Sequence, residues 1–169
     1  MKRNEWLLSI VTSLLFAAPA CAAAKGDADF VTKAAQGGME EVELGRMAQN
    51  QAASADVKRF GERMVTDHGK AGDDLKAAAQ KSGMEIPAEL SKKQQSDKAR
   101  LAKLNGAAFD KEYMKMMVAD HKEDVAEFEK EASSGTDANI KAFASKTLPT
   151  LKEHLQMAQQ TEKGIAANP

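Results

Sequence analysis

Apolar and small residues recur along this chain at alternating steps of four and three positions, the spacing of one face of an α-helix. Four long segments carry such a stripe. The first covers 27–51, and the second runs from the N-cap candidate Ser54 to about Gly83. The third runs from about Ala107 to the SSGTD turn at 133–137, and the fourth follows that turn. The stripe of the second segment consists of Val57, Gly61, Met64, His68, Ala71, Leu75, Ala78 and Ser82. No segment alternates with a period of two, so the sequence predicts no sheet.

Turn and breaker residues separate the segments. Gly83 and Pro87 end the second helix, and a shorter, lysine-rich helix is predicted over 91–104 until Gly106 breaks it. Pro149 falls inside the last helix and is expected to kink it. Short turns between long helices favour antiparallel neighbours. We therefore predict an all-α fold: an up-down-up-down four-helix bundle with an extra short helix between the second and third long helices.

The chain has three histidines, and all of them fall on the apolar stripes near the middle of a helix. His68 and His121 each end a Met-Val-x-Asp-His motif, and His154 follows an acid in KEHL. The first helix places Glu41 on its own stripe. An unpaired imidazole or carboxylate in a core is costly, so each of these groups needs a partner. The four side chains are therefore expected to converge on one point inside the bundle.

Three imidazoles and a carboxylate suit a divalent transition metal such as Zn, Cu or Ni. The acids beside the histidines, Asp67, Asp120 and Glu153, lie about 100° round their helices and are expected to orient an imidazole on a neighbouring helix. Met64 and Met117 could add soft thioether ligands that favour copper. Two other interpretations stay open: a buried His, Asp and Glu network without metal, and methionines that only fill the core.

The remaining charges are expected to face water. Glu40 and Glu43 belong to an acidic run that we interpret as a solvated face. Solvation is also expected for a basic run on the short helix, with contact to anionic lipid or polysaccharide of the cell envelope as the alternative. That run consists of Lys92, Lys93, Lys98, Arg100 and Lys103.

Composition narrows the class of protein further. The 169 residues are 43% hydrophobic and 29% charged, which is typical of one globular domain. The net charge is −1, whereas a nucleic-acid partner usually requires a strongly basic domain, so we expect no such partner. The sequence names no protein partner.

The N-terminus has the pattern of a secretory signal peptide. Lys2 and Arg3 precede a short apolar run and then small residues that suit signal peptidase. We predict that 1–24 are removed and that 25–165 form a single domain in the periplasm. The alternative is a lipoprotein, anchored to the outer membrane through an acylated Cys21, the only cysteine.

The segments EVELG, MVTDH, MVADH and LPTLKEHL together resemble a family of exported bacterial proteins, domain of unknown function 4142, often labelled "putative outer membrane protein". The resemblance covers about 27–161. It implies a ferritin-like four-helix fold and a location outside the cytoplasm, with no settled activity. A helical bundle does not fit an integral membrane barrel. The motif acid and histidines of the family fall on Glu41, His68, His121 and His154.

Ferritin-like proteins suggest di-iron chemistry, but the required Glu-x-x-His pairs are missing here. The residues three before the histidines are Val65, Val118 and Leu151. The sequence also contains no nucleophile elbow and no phosphate loop. We therefore expect a protein that is not an enzyme and that binds or senses a metal or small ligand, with envelope stress as one setting. The alternative is a structural or interaction module whose polar cluster only fixes helix packing.

Overall fold

The computed structural model describes residues 18–167, with side chains from residue 25 onward; 1–17 of the predicted signal peptide lie outside this part. The described residues form five helices and no strand, which confirms the all-α prediction. The helices are α1 Ala18–Gln51, α2 Ala55–Lys81, α3 Lys92–Leu101, α4 Gly106–Ser134 and α5 Ala138–Ala167.

Most helix ends lie where the caps and breakers predicted them. The Ser54 side chain accepts a hydrogen bond from the Asp56 backbone N–H at 3.2 Å and so caps α2. Gly106 adopts a φ of 63°, which favours glycine, and opens α4. Two ends differ. α1 begins well before the predicted start because its alanine-rich first turns favour helix, and α3 ends at Leu101, where the backbone tightens into a turn.

The four long helices contact one another in a ring. α1 packs along α2, and α4 packs along α5; α2 also contacts α5, and α1 also contacts α4. α3 contacts α1 and α4. α1 and α2 approach closely where Gly45 faces Gly61, since a Cβ at Gly61 would lie only 2.7 Å from the Gly45 carbonyl oxygen. The two glycines therefore allow the backbones to touch.

Two apolar clusters fill the interior. One lies towards the α1–α2 turn and includes Leu44, Met64 and Tyr113; the other lies towards the α4–α5 turn and includes Phe30 and Phe128. Along each long helix, the residues of one apolar cluster are followed by a gap in the apolar pattern and then by the residues of the other cluster. The gap is filled by one polar residue per helix: Glu41, His68, His121 and His154. The core is thus divided by a single polar layer. Among the described residues, no helix has the length and apolar character needed to cross a membrane.

Candidate metal centre

The polar layer contains the four predicted site residues, one from each long helix. Glu41 is 3% exposed, His68 7%, His121 0% and His154 1%. Each lies on the inward stripe of its helix, so regular helical geometry is enough to bring them together. The structure therefore places side by side four groups that are far apart in the sequence.

The three imidazole rings form a nearly regular triangle. Ring centroids are 5.6 Å apart for His68 and His121, 5.2 Å for His68 and His154, and 5.5 Å for His121 and His154. One nitrogen from each ring lies within 4.8 Å of the other two. An ion with bonds of about 2 Å to each nitrogen would hold them about 3.3 Å apart, so the rings would have to move closer together around it.

Two rings are held through their Nδ1 atoms. His68 Nδ1 donates to Glu41 Oε2 at 2.8 Å. His121 Nδ1 lies 2.9 Å from the Met117 carbonyl oxygen, which can only accept, so this nitrogen carries the proton. Glu41 Oε1 is 3.3 Å from the same His121 Nδ1. A proton on Nδ1 leaves Nε2 of a neutral imidazole with a free lone pair.

The third ring is held through its other nitrogen. His154 Nε2 donates to Asp67 Oδ2 at 2.8 Å, and Arg63 forms an ion pair with the same carboxylate. Arg63 also lies 3.9 Å from Glu153 at the surface. Asp67 thus contacts an imidazole on a neighbouring helix, which is the position that an orienting carboxylate would occupy. Glu153 was expected to do the same, but its exposed carboxylate contacts Arg63 instead.

The nitrogens on the other side of each ring have no hydrogen-bond partner. They are His68 Nε2, His121 Nε2 and His154 Nδ1, and all three are buried. A buried polar atom without a partner normally costs stability, so three such atoms in one layer require an explanation. Glu41 contacts the held Nδ1 atoms rather than these three. Its position is therefore that of an orienting carboxylate, whereas the sequence had placed it among the ligands.

The charges of the layer follow from burial and contact. Burial alone would raise the pKa of Glu41, but the nearby charges of His68 and His121 and the His68 hydrogen bond outweigh it and lower that pKa to about 2. Burial acts against charge on His68 too, yet Glu41 raises its pKa. Burial lowers the pKa of His121 and lowers that of His154 to about 4, although Asp67 opposes this shift. Two of the three rings are therefore neutral at pH 7.

The predicted methionine ligands lie in the apolar cluster next to the layer. Met64 and Met117 are fully buried among core side chains. Met117 contacts the site through its backbone carbonyl, which holds His121. Both side chains therefore pack in the core, and the Met117 main chain also holds His121.

The prediction for Glu40 was wrong. Its side chain is only 7% exposed, because α3 covers this side of α1. Burial and the neighbouring Asp120 raise the pKa of Glu40 to about 7. Asp120 was expected to orient an imidazole, but no contact between Asp120 and a histidine ring is found among the described residues. Burial and the negative charge of Glu41 raise the pKa of Asp120 to about 6.

Sequence reasoning missed Asp124. It lies one turn after His121 on α4, and a carboxylate oxygen of Asp124 is within 4.8 Å of both a Glu41 oxygen and a His121 nitrogen. Burial and the negative charges of Glu41 and Asp120 raise the pKa of Asp124 well above its usual value. The signal was present in the sequence, since residue 124 follows His121 at a spacing of three and faces the same side of the helix.

The model of one protein family, described as "Domain of unknown function (DUF4142)", matches residues 14–161. That range includes all five helices apart from the last residues of α5, and it contains the whole polar layer. No curated protein and no solved structure matches the chain. The family name carries no activity, so the function has to be argued from the site.

Proposed function

We propose that this chain, which belongs to the DUF4142 family, binds a divalent transition metal ion between His68, His121 and His154. One observation carries the proposal: one nitrogen from each of three buried rings lies within 4.8 Å of the other two, and each ring has a buried nitrogen without a hydrogen-bond partner. Neutral imidazole is a good ligand for Zn, Cu and Ni, and these are the metals we expect. Three protein ligands leave a further coordination position for water or a small ligand.

The contacts around the rings support this assignment. Metal-ligating histidines usually donate their second ring N–H to a carboxylate or a backbone carbonyl, which sets the tautomer and the ring orientation. Here Glu41 supports His68, the Met117 carbonyl supports His121, and Asp67 supports His154. All three free nitrogens therefore present a lone pair once His68 loses its proton. These contacts would orient the three rings for metal binding already in the metal-free protein.

We further infer that the fold is the ferritin-like up-down-up-down four-helix bundle, with α3 as the extra helix. The ring of contacts among α1, α2, α4 and α5 supports it. Each long helix then contributes one member of the polar layer, which is how bundles commonly build metal sites. The function would be binding or sensing rather than catalysis.

We also propose that the protein is exported to the periplasm, where such binding could serve envelope stress. The basic, apolar and small-residue pattern of residues 1–24 supports export. N-terminal sequencing of the protein from its native host should give a start between Cys21 and Lys25. An intact Met1 would refute export. Release on spheroplasting would favour the free form, and a requirement for detergent would favour an anchor on Cys21.

Thermal melting of the metal-free protein with Zn²⁺, Cu²⁺ and Ni²⁺ tests the metal site. Binding to the native state alone should add about 2.7 kcal/mol at a hundredfold excess over Kd, a rise of several degrees in Tm. His121→Ala should abolish the metal-dependent rise. Glu62→Gln, on the exposed face of α2, should keep it and serves as the matched control.

The alternative is a polar layer that only fixes helix packing. The Glu41–His68 and Asp67–His154 pairs favour it, since both are complete without a metal. In that case none of the three metals should shift Tm. The histidine variants should then lose stability by similar amounts with and without metal, and Asp67→Asn should lose as much as they do.

A further inference from the structure

A cavity adjoins the polar layer on the face formed by α1 and α4. Its volume is about 330 Å³, and the first turn of α3 closes one end. Glu41 belongs to both places, since it supports His68 on one side and lines the cavity on the other. The acids lining the cavity are Glu40, Glu41, Asp120, Glu123, Asp124 and Glu127.

One buried oxygen in this cavity has no hydrogen-bond partner. Glu41 Oε1 is 3.3 Å from His121 Nδ1, but that N–H is directed to the Met117 carbonyl at 2.9 Å. Oε1 therefore accepts no hydrogen bond, although Glu41 is only 3% exposed. A carboxylate oxygen of Asp124 lies within 4.8 Å of it. Gly37 of α1 lies beside Asp124, since a Cβ on Gly37 would be 3.8 Å from Asp124 Oδ1.

The lysines at the mouth of the cavity are already paired. Lys33 forms an ion pair with Glu127, and Lys93 lies 2.8 Å from Asp97. No ion pair involving the inner carboxylates Asp120 and Asp124 is found among the described residues. Lys93 acts on Asp120 only at a distance, and neither inner carboxylate has a lysine or arginine partner in this part of the chain.

The pKa of Asp124 reflects its burial and its lack of an ion pair. Burial and the negative charges of Glu41 and Asp120 raise the pKa of Asp124 well above its usual value. Each acid can be stabilised by a proton or by a cation. A proton neutralises one oxygen, whereas a divalent ion can serve several carboxylates at once.

We propose that this cavity binds a hard divalent cation such as Ca²⁺, held by carboxylate oxygens of Glu41 and Asp124, with Glu40 and Asp120 as further oxygen donors. Oxygen donors select Ca²⁺, Mg²⁺ and Mn²⁺, whereas the imidazole layer selects Zn, Cu or Ni. The second site goes beyond the proposed function, because it can be filled whether or not the imidazoles hold a metal. Glu41 would then connect two sites of different chemistry.

Calorimetric titration of the metal-free protein with CaCl₂ tests the proposal. We expect saturable binding with Kd on the order of 10⁻⁴ M, within the range of carboxylate sites outside the cytosol. Asp124→Asn should weaken binding at least tenfold, and Glu40→Gln should weaken it as well. His154→Gln, which removes an imidazole outside this cavity, should bind Ca²⁺ as the unaltered chain does, and so should the surface variant Glu62→Gln.

The same variants separate the two sites. Asp124→Asn should keep the Zn²⁺-dependent rise in Tm, and His154→Gln should lose it. The metal-free Asp124→Asn protein should melt at the same temperature as the unaltered chain or higher, since asparagine removes a buried charge. If it fails to fold, Glu40→Gln decides. Absence of saturable Ca²⁺ binding, or binding that neither variant weakens, would overturn the second site without affecting the imidazole site.

Discussion

The neutral state of His154 makes the metal-free protein sensitive to acid. Its pKa is about 4 in the folded chain and 6.5 in an unfolded one. Between these values the unfolded chain binds a proton that the native state does not, so stability falls as pH falls. Because the ring is 1% exposed, screening by water is small. From pH 7 to about pH 5, this one ring should cost the native state about 2 kcal/mol.

Other groups act in the opposite direction. The raised pKa values of Glu40 and Glu131, each about 7, make the native state take up protons as pH falls, and this adds stability. The raised pKa of His68 has the same sign, and its contribution is complete below pH 6.5. A pH profile of the unaltered chain alone therefore does not isolate His154. The difference between that chain and His154→Gln does, because glutamine cannot be protonated and still offers Asp67 a donor.

Urea unfolding in the presence of a chelator provides the measurement. The unaltered chain should lose about 2 kcal/mol more than His154→Gln between pH 7 and about pH 5. Histidine NMR titration gives an independent check, in which the His154 ring should show no protonation above about pH 5. A stability difference that stays constant over this range, or a ring that titrates near 6.5, would refute a buried, neutral His154 in the polar layer.

Three further changes test other parts of the molecule. Gly61→Ala should cost about 1–3 kcal/mol in urea unfolding, because its Cβ would lie 2.7 Å from Ala48 Cβ; Gly72→Ala, with open space around it, should not. Asp67→Asn should weaken Zn²⁺ binding about 10–100-fold in a competition assay, and unchanged affinity would contradict its orienting role. Asp27→Asn should cost about 1–3 kcal/mol at neutral pH, because the buried carboxylate accepts from the Thr136 and Asp137 N–H groups at 3.0 and 2.8 Å. Burial alone would raise the pKa of Asp27, but the hydrogen bonds from the Thr136 hydroxyl and from these N–H groups lower it, so the loss should fade only as pH falls below about 4.

The stripes predicted the polar layer because one helical period relates every inward position of a long helix. That rule places His68, His121 and His154 on inward faces with no knowledge of the neighbours. It fails for Glu40, which lies about 100° from Glu41 and looks solvent-facing until α3 packs over it. A short, lysine-rich helix gives no period from which that packing could be read.

The sequence also could not predict which nitrogen of each histidine ring makes the hydrogen bond that holds the ring. His121 donates to the carbonyl one turn earlier on its own helix, while His154 donates to an acid on α2. This choice depends on rotamers and on distances between helices, and the spacing of residues along the chain specifies neither. It nevertheless decides the chemistry, because it determines that Glu41 contacts the Nδ1 atoms of His68 and His121 and that each ring has one nitrogen left without a partner.

The polar layer is costly for a protein that only needs to be stable. An apolar residue at each of its four positions would join the two clusters into one continuous core, and such replacements of buried charge are often neutral or stabilising. Instead the chain keeps three unpartnered nitrogens and the carboxylate Glu41. A metal ion would satisfy all three nitrogens at once, and on a protonated His68 it would displace the Nε2 proton while Nδ1 keeps the proton that it donates to Glu41. Metal binding should therefore release a proton, and affinity should fall with decreasing pH as His68 is protonated. The features that cost stability in the free protein are those that an ion would use.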